Sequence, residues 1–226
     1  MLNLEIGPLE RTETTAMETF SVENVEYLQS IEGLKAVNWV ELQPLERLDV
    51  LRTLESRLAE IQGRPPLPVE VEAMDEGMCG YCDGEALHIN IEHIQDPAYL
   101  SEVTNTVAHE GRHAYQFYAI EHPGFHPNLQ EVQYWAANGQ HYLNSREFGS
   151  EYYMSQPMEL DAWRYGDMVE GIFAEFQKEK SFWDFDSIWD SFFAKVGNDA
   201  SSPALIARAG NSGERINSML DSVSVM

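Results

Sequence analysis

Residues 105–116 read Asn105-Thr106-Val107-Ala108-His109-Glu110-Gly111-Arg112-His113-Ala114-Tyr115-Gln116. The run lies within a longer predicted helix. Asp96-Pro97 supplies an N-cap residue followed by a first-turn proline, and no breaker intervenes until Pro123-Gly124 after Ile120. Residues four apart on a helix share a face and stand about 6 Å from one another. His109 and His113 can therefore grip one metal ion, with Glu110 between them placed to take a proton from water, the logic of H-E-x-x-H. At 100° per residue, Leu100, Val103, Val107, Gly111, Ala114 and Tyr118 gather on one side, and His109, His113 and Gln116 fall roughly opposite. The expectation is one packing face and one face free for metal. Gly111, in the packing stripe, predicts close approach to a neighbour, expected to be a sheet.

Outward from this helix the pattern changes period. Upstream, Val69, Val71 and Ala73 alternate with Glu70 and Glu72, and Leu87, Ile89 and Ile91 alternate with His88, Asn90 and Glu92, which predicts strands with one buried face. Asp83-Gly84 predicts a turn joining Met78–Cys82 to a strand over Glu85–Glu92. Earlier still, Pro44 starts a helical pattern of Leu45, Leu48, Leu51, Leu54, Leu58 and Ile61 that Gly63, Pro65 and Pro66 stop. Downstream come a helix from Leu129 to about Leu143 capped by Asn128, a break at Gly149-Ser150, and a helix from Pro157 to about Lys180. The predicted class is α+β, a small and mostly antiparallel sheet packed on helices. Residues 1–37 read as a leader with a short helix from Val22, 38–180 as the main domain, and 181–226 as a helical extension with an aromatic stripe (Phe182, Phe185, Trp189, Phe192, Phe193).

Composition limits the partners. A chain of 226 residues, 43% hydrophobic, has material for one substantial core. With 14 basic against 38 acidic side chains and a net charge of -24, neither a nucleic-acid backbone nor an anionic membrane is the expected partner. The start MLNLEIGPLERTETTA lacks a basic n-region and an apolar h-region, and no apolar run approaches the ~20 residues of a membrane span. The expected location is cytoplasmic, or outside the cell by a signal-independent route. Two cysteines, Cys79 and Cys82, exclude a disulfide framework, and a four-cysteine zinc site lacks its second pair.

A catalytic zinc takes three protein ligands and one open position, so the histidine pair needs a companion. The sequence offers Glu159, Asp161, His122, His126 and His141. On the helix from Pro157 the wheel sets Glu159 and Asp161 at opposite edges of the apolar face and does not choose between them.

HEGRHAYQ together with QPMELDAW, which sets Glu159 46 positions after His113, resembles the gluzincin zinc metallopeptidases, where a Glu on a later helix completes H-E-x-x-H, commonly as P-x-E-x-x-A. More narrowly, the chain resembles the zincin-like metallopeptidase domains of bacterial polymorphic toxins and effectors. The resemblance covers about residues 38–175. It implies a compact zincin-like fold, Zn2+ held by His109, His113 and Glu159 with Ala162 as the small residue, and Glu110 as general base in peptide hydrolysis. A protein or peptide substrate follows, with a cognate inhibitor or immunity protein as the partner that toxins of this type carry. The thermolysin-like pattern has an Asp four residues after the ligand Glu, but position 163 is Trp, so Asp161 is the nearer source of a supporting carboxylate.

A developing oxyanion needs a donor. Tyr152, Tyr153, Tyr165, His141 and Arg164 are candidates, and Tyr153 is preferred because it lies just before the ligand helix. A substrate strand is expected to add to the ALHINIEHI edge. The alternative function is a non-catalytic zincin-like domain that binds or regulates a protein partner. An intact Glu110 favours the enzyme, since a purely structural metal has no need of a base.

Overall fold

The computed structural model describes residues 20–75 and 77–173. The expected helix beyond Phe173, the extension 181–226 and the leader before Phe20 lie outside the described residues. Within them the architecture is mixed α and β, mostly helical, with one three-stranded sheet.

Helix α1 (Val22–Gln29) is capped by the Ser21 hydroxyl, and a 3-10 turn leads to α2 (Ala36–Trp39). Leu28, Ile31 and Leu34 enter the main core, so the described part of the 1–37 segment packs with the domain that follows. The next helix, α3 (Pro44–Gln62), starts with a capping box between Gln43 and Glu46 and ends on Gly63 at φ 72°, a left-handed conformation that glycine adopts without steric cost. Its Leu48, Leu51, Leu54 and Leu58 are buried, whereas Leu45, expected in the stripe, sits exposed in the first turn. Each fully buried leucine contributes about 1.5–3 kcal/mol.

Strands β1 (Val69–Glu72), β2 (Gly80–Cys82) and β3 (Leu87–Asn90) lie in the order β1-β3-β2. The β2–β3 pairing is antiparallel across the expected turn, where the Asp83 carboxylate accepts from the Glu85 and Ala86 amides. β1 pairs parallel to β3, so the sheet is mixed and not mostly antiparallel. The alternation seen in the sequence runs on into Ile91 and Glu92, but Asn90 stops it. Its side chain accepts from the Glu92 amide and starts helix α4 (Ile91–Gln95).

Asp96 caps a 3-10 turn through the Ala98 amide, and α5 (Leu100–Glu121) follows. Every residue from Val103 to Gln116 is buried. The face expected to be free is covered by α9 (Pro157–Phe173), against which α5 makes its most extensive packing. Burying so many polar groups is tolerable only where each finds a partner, and α9 supplies most of them. Gly111 does face a close neighbour, though it is not the sheet. A Cβ there would stand 2.9 Å from the Arg64 guanidinium and 3.0 Å from the Glu55 carboxylate. Those two form a buried bidentate pair at 2.7 and 2.9 Å that ties the chain leaving α3 back onto that helix and lies against α5 at Gly111. The sheet instead touches α5 at Gly80, where a Cβ would lie 2.7 Å from Thr106 Cγ2.

Between α5 and α9 run α6 (Leu129–Gln140), α7 (Ser145–Phe148) and α8 (Ser150–Met154). Asn128 caps α6 through the Gln130 and Glu131 amides, and the helix stops three residues short of Leu143. Gly149 at φ 87° makes the break between α7 and α8. Among the described residues no helix is long and apolar enough to cross a membrane.

Candidate metal centre

The middle of α5 and the first turn of α9 bring three side chains together. His109 Nε2 and His113 Nε2 are 3.1 Å apart. Glu159 places Oε1 3.2 Å from the His113 nitrogen and Oε2 3.4 Å from the His109 nitrogen. Donors bonded at 2.0–2.2 Å to a tetrahedral ion stand about 3.3 Å from one another, and each of the three spacings is close to that value, with the Glu159 carboxylate turning one oxygen to each histidine. Glu110 belongs to the same cluster: one ligand atom each from His109, Glu110 and His113 lie within 4.8 Å of one another, a group that could hold a metal ion. The triad is deeply buried: His109, His113 and Glu159 are 4%, 7% and 0% exposed. Two imidazole nitrogens and a carboxylate facing each other in so dry a place are the donor set a borderline cation such as zinc takes.

The sequence around Glu159 and His113 explains their placement. Gln156 fixes the start of α9, its carbonyl accepting from Leu160 and its amide gripping both ends of the preceding chain: Oε1 accepts from the Leu143 and Asn138 nitrogens, and Nε2 donates to the Leu143 and Tyr153 carbonyls. The Asn138 side-chain oxygen accepts from the Met158 amide, satisfying a first-turn donor. Glu159 is thus held at a pinned helix start.

Behind His113 stands a buried polar relay. Gln116 Nε2 donates to the Met158 carbonyl at 3.0 Å and to Asp161 Oδ2 at 2.8 Å, which turns its Oε1 toward His113 Nδ1, 2.8 Å away. Asp161 also accepts two bonds from Arg112, at 2.7 and 3.0 Å. Both Asp161 oxygens are therefore engaged by Arg112 and Gln116, whereas the Glu159 oxygens face the two histidines. The Arg112 guanidinium is covered by the rings of Tyr115, Trp135 and Tyr165. The Trp163 ring, where the thermolysin-like pattern has an acid, packs edgewise on His109 at 4.5 Å.

Tyr153, on α8, lies close enough to Glu159 to feel its charge, and a second phenol comes with it. Tyr142 donates its hydroxyl to Glu159 Oε1, and the two tyrosine rings meet edge to face at 6.0 Å. Nothing in the local sequence marks Tyr142, which follows the end of α6 by two residues. Its approach is made by the turn that Gln156 holds.

Charge in the site is unevenly distributed. Burial raises the Glu110 carboxyl above its ordinary range, opposed by both histidines and by a hydrogen bond from the Cys82 backbone. Burial works against a charged His113, but the Glu159 carboxylate and its hydrogen bond, Glu110 and Gln116 lift it to about 9. Glu159, despite its burial, is held well below the carboxylate range by His113 and His109. Tyr142 and Tyr153 are both raised, first by burial and then by Glu159, and stay protonated as donors.

The remaining candidates lie elsewhere. His126 is bonded to the Tyr115 hydroxyl and to Glu131, His122 stacks on Tyr118, and His141 sits exposed at the end of α6. Tyr152 points outward and Tyr165 lies in the core over Arg112. β3, the core of ALHINIEHI, is the central strand with both edges already paired, so it offers no edge for a substrate. On the side of α5 the edge strand is β2. No protein-family model matches the chain, and no curated protein or solved structure matches it either. The fold and site together define an α+β domain with a buried His-His-Glu donor triad spanning two helices.

Proposed function

We propose that the chain is a zinc-dependent peptidase of gluzincin type, a class that includes toxin and effector proteases. The observation that carries the proposal is the meeting of His109 Nε2, His113 Nε2 and the two Glu159 carboxylate oxygens at 3.1, 3.2 and 3.4 Å, with Glu110 beside them. His109, His113 and Glu159 would hold the ion. Zinc in such a site acidifies water and polarises a carbonyl. Glu110, on the turn of α5 that faces β2, takes the proton from the attacking water and delivers it to the departing amine. Its burial keeps its basicity above that of an exposed glutamate. The Tyr153 and Tyr142 hydroxyls are the donors nearest to Glu159 for a developing oxyanion. A peptide strand reaches this machinery along the outer edge of β2, the strand pressed against α5 at Gly80.

The test compares wild type with Glu110→Gln, both zinc-loaded, on a proteome extract whose new peptide termini are read by mass spectrometry. New termini made by wild type and absent with Glu110→Gln support the peptidase. Identical termini from the two proteins count against it and favour a binding or regulatory domain.

A further inference from the structure

We propose that Gln116 is the positioning residue of the metal centre, fixing the His113 tautomer and gauging the seat of Glu159 at the same time; the inference rests on the zinc reading above. Gln116 is completely buried, so its amide has no water to fall back on. Its two donors are committed to α9, at the Met158 carbonyl and Asp161 Oδ2. Those acceptors bracket Glu159, one residue before it and two after. With the nitrogen so committed, Oε1 has to face His113 and can only accept. With zinc bound, His113 would keep its proton on Nδ1 and turn the lone pair of Nε2, the atom 3.2 Å from Glu159, to the ion.

The two imidazoles are not supported alike. His109 Nδ1 is buried with no hydrogen-bond partner, and that ring is steadied by the Trp163 edge. Of the two Nδ1 atoms, only that of His113 is held by a hydrogen bond, and Gln116 makes it. The chain His113–Gln116–Asp161–Arg112 starts and ends on α5 and passes through α9 beside the third ligand. A shift of α9 that moved Glu159 would break the Gln116 bonds and release His113 in the same step. Outer partners of this kind typically affect metal affinity on the order of 10–100-fold.

The variant is Gln116→Met, similar in length but without acceptor or donors. Zinc affinity is measured by competition with a chelator, the visible spectrum of the cobalt-loaded protein reports ligand geometry, and thermal unfolding of the metal-free protein checks the fold. The expected result is zinc binding weakened on the order of 10–100-fold with an altered cobalt spectrum. Independently, zinc-loaded wild type labelled with 15N-histidine should show a His113 Nδ1-bound proton that exchanges slowly with water, and this decides the matter if Gln116→Met does not fold. Unchanged affinity and spectrum in Gln116→Met, or a His113 without a protected Nδ1 proton, overturns the role of Gln116 while leaving the zinc site standing. Wild type that binds no zinc overturns both.

Discussion

Arg112 and Asp161 form a bidentate ion pair, 2.7 and 3.0 Å, with each side chain 2% exposed, and the pair bolts the helix of the two histidines to the helix of Glu159. Removing one partner strands a charge that water cannot reach. Arg112→Leu or Asp161→Leu should each cost about 3–5 kcal/mol in urea unfolding. The double variant Arg112→Met with Asp161→Leu should recover part of that loss, because it leaves no lone ion behind. Equal losses in single and double variants would place the stabilisation in packing alone.

Gly111 lies under a second buried pair. Alanine gains about 1 kcal/mol of helix propensity, but its Cβ would come within 2.9 Å of the Arg64 guanidinium and 3.0 Å of Glu55. Arg64 and Glu55 are each 1% exposed at the side chain and also bonded to Gln62 and the Leu67 amide, so neither can swing aside. Overpacking of this kind costs about 1–3 kcal/mol, and Gly111→Ala should lower the midpoint of thermal unfolding. A raised midpoint would mean that the clamp yields.

Proton linkage supplies a test of the metal centre. In the metal-free chain Glu159 lifts His113 to about 9, and zinc must displace that proton. Between pH 6.5 and about 9 the apparent Kd for zinc should tighten roughly tenfold per pH unit and then level off. Stability of the metal-free protein moves the other way. A histidine raised above its unfolded value of 6.5 contributes stability that is complete below 6.5 and is lost as pH rises through about 9. Titration calorimetry in buffers of different ionisation enthalpy should show about one proton released per zinc near pH 7.5.

Burial pushes the Cys82 thiol up to about 12, and burial together with Glu102 and Glu110 raises Cys79 as well. The thiolate is the reactive form. Iodoacetamide at neutral pH should leave Cys82 unmodified in the native protein and label Cys79 more slowly than a free thiol, while urea should expose both to full labelling. Fast native labelling of Cys82, read by mass spectrometry, would contradict its environment.

What could be read from the chain depended on how local the cause was. Pro44 and Gly63 bound α3 as expected, Asp96-Pro97 opens the turn into α5, and Asn128 caps α6, because caps and breakers act within one turn. The choice between Glu159 and Asp161 was beyond periodicity, since they flank the apolar face of α9 at its two edges and the wheel favours neither. What separates them is long-range: Arg112 and Gln116 meet Asp161 across 49 and 45 residues of chain, while Glu159 faces the histidines. The same holds for Tyr142, brought to Glu159 by a loop that Gln156 ties down, and for Gly111, whose neighbour belongs to α3. Asn90 is the exception: an Asx cap two residues before Glu92 was visible in the sequence, and strand alternation masked it.

Glu159 as third ligand is tested most directly by the zinc content of purified wild type, Glu159→Ala and Asp161→Ala at neutral pH. One zinc per chain is expected in wild type, with loss in Glu159→Ala at concentrations where wild type stays loaded. Asp161→Ala should retain zinc more weakly than wild type but more tightly than Glu159→Ala. Glu159→Ala that holds one zinc as tightly as wild type, while Asp161→Ala loses it, would contradict the assignment.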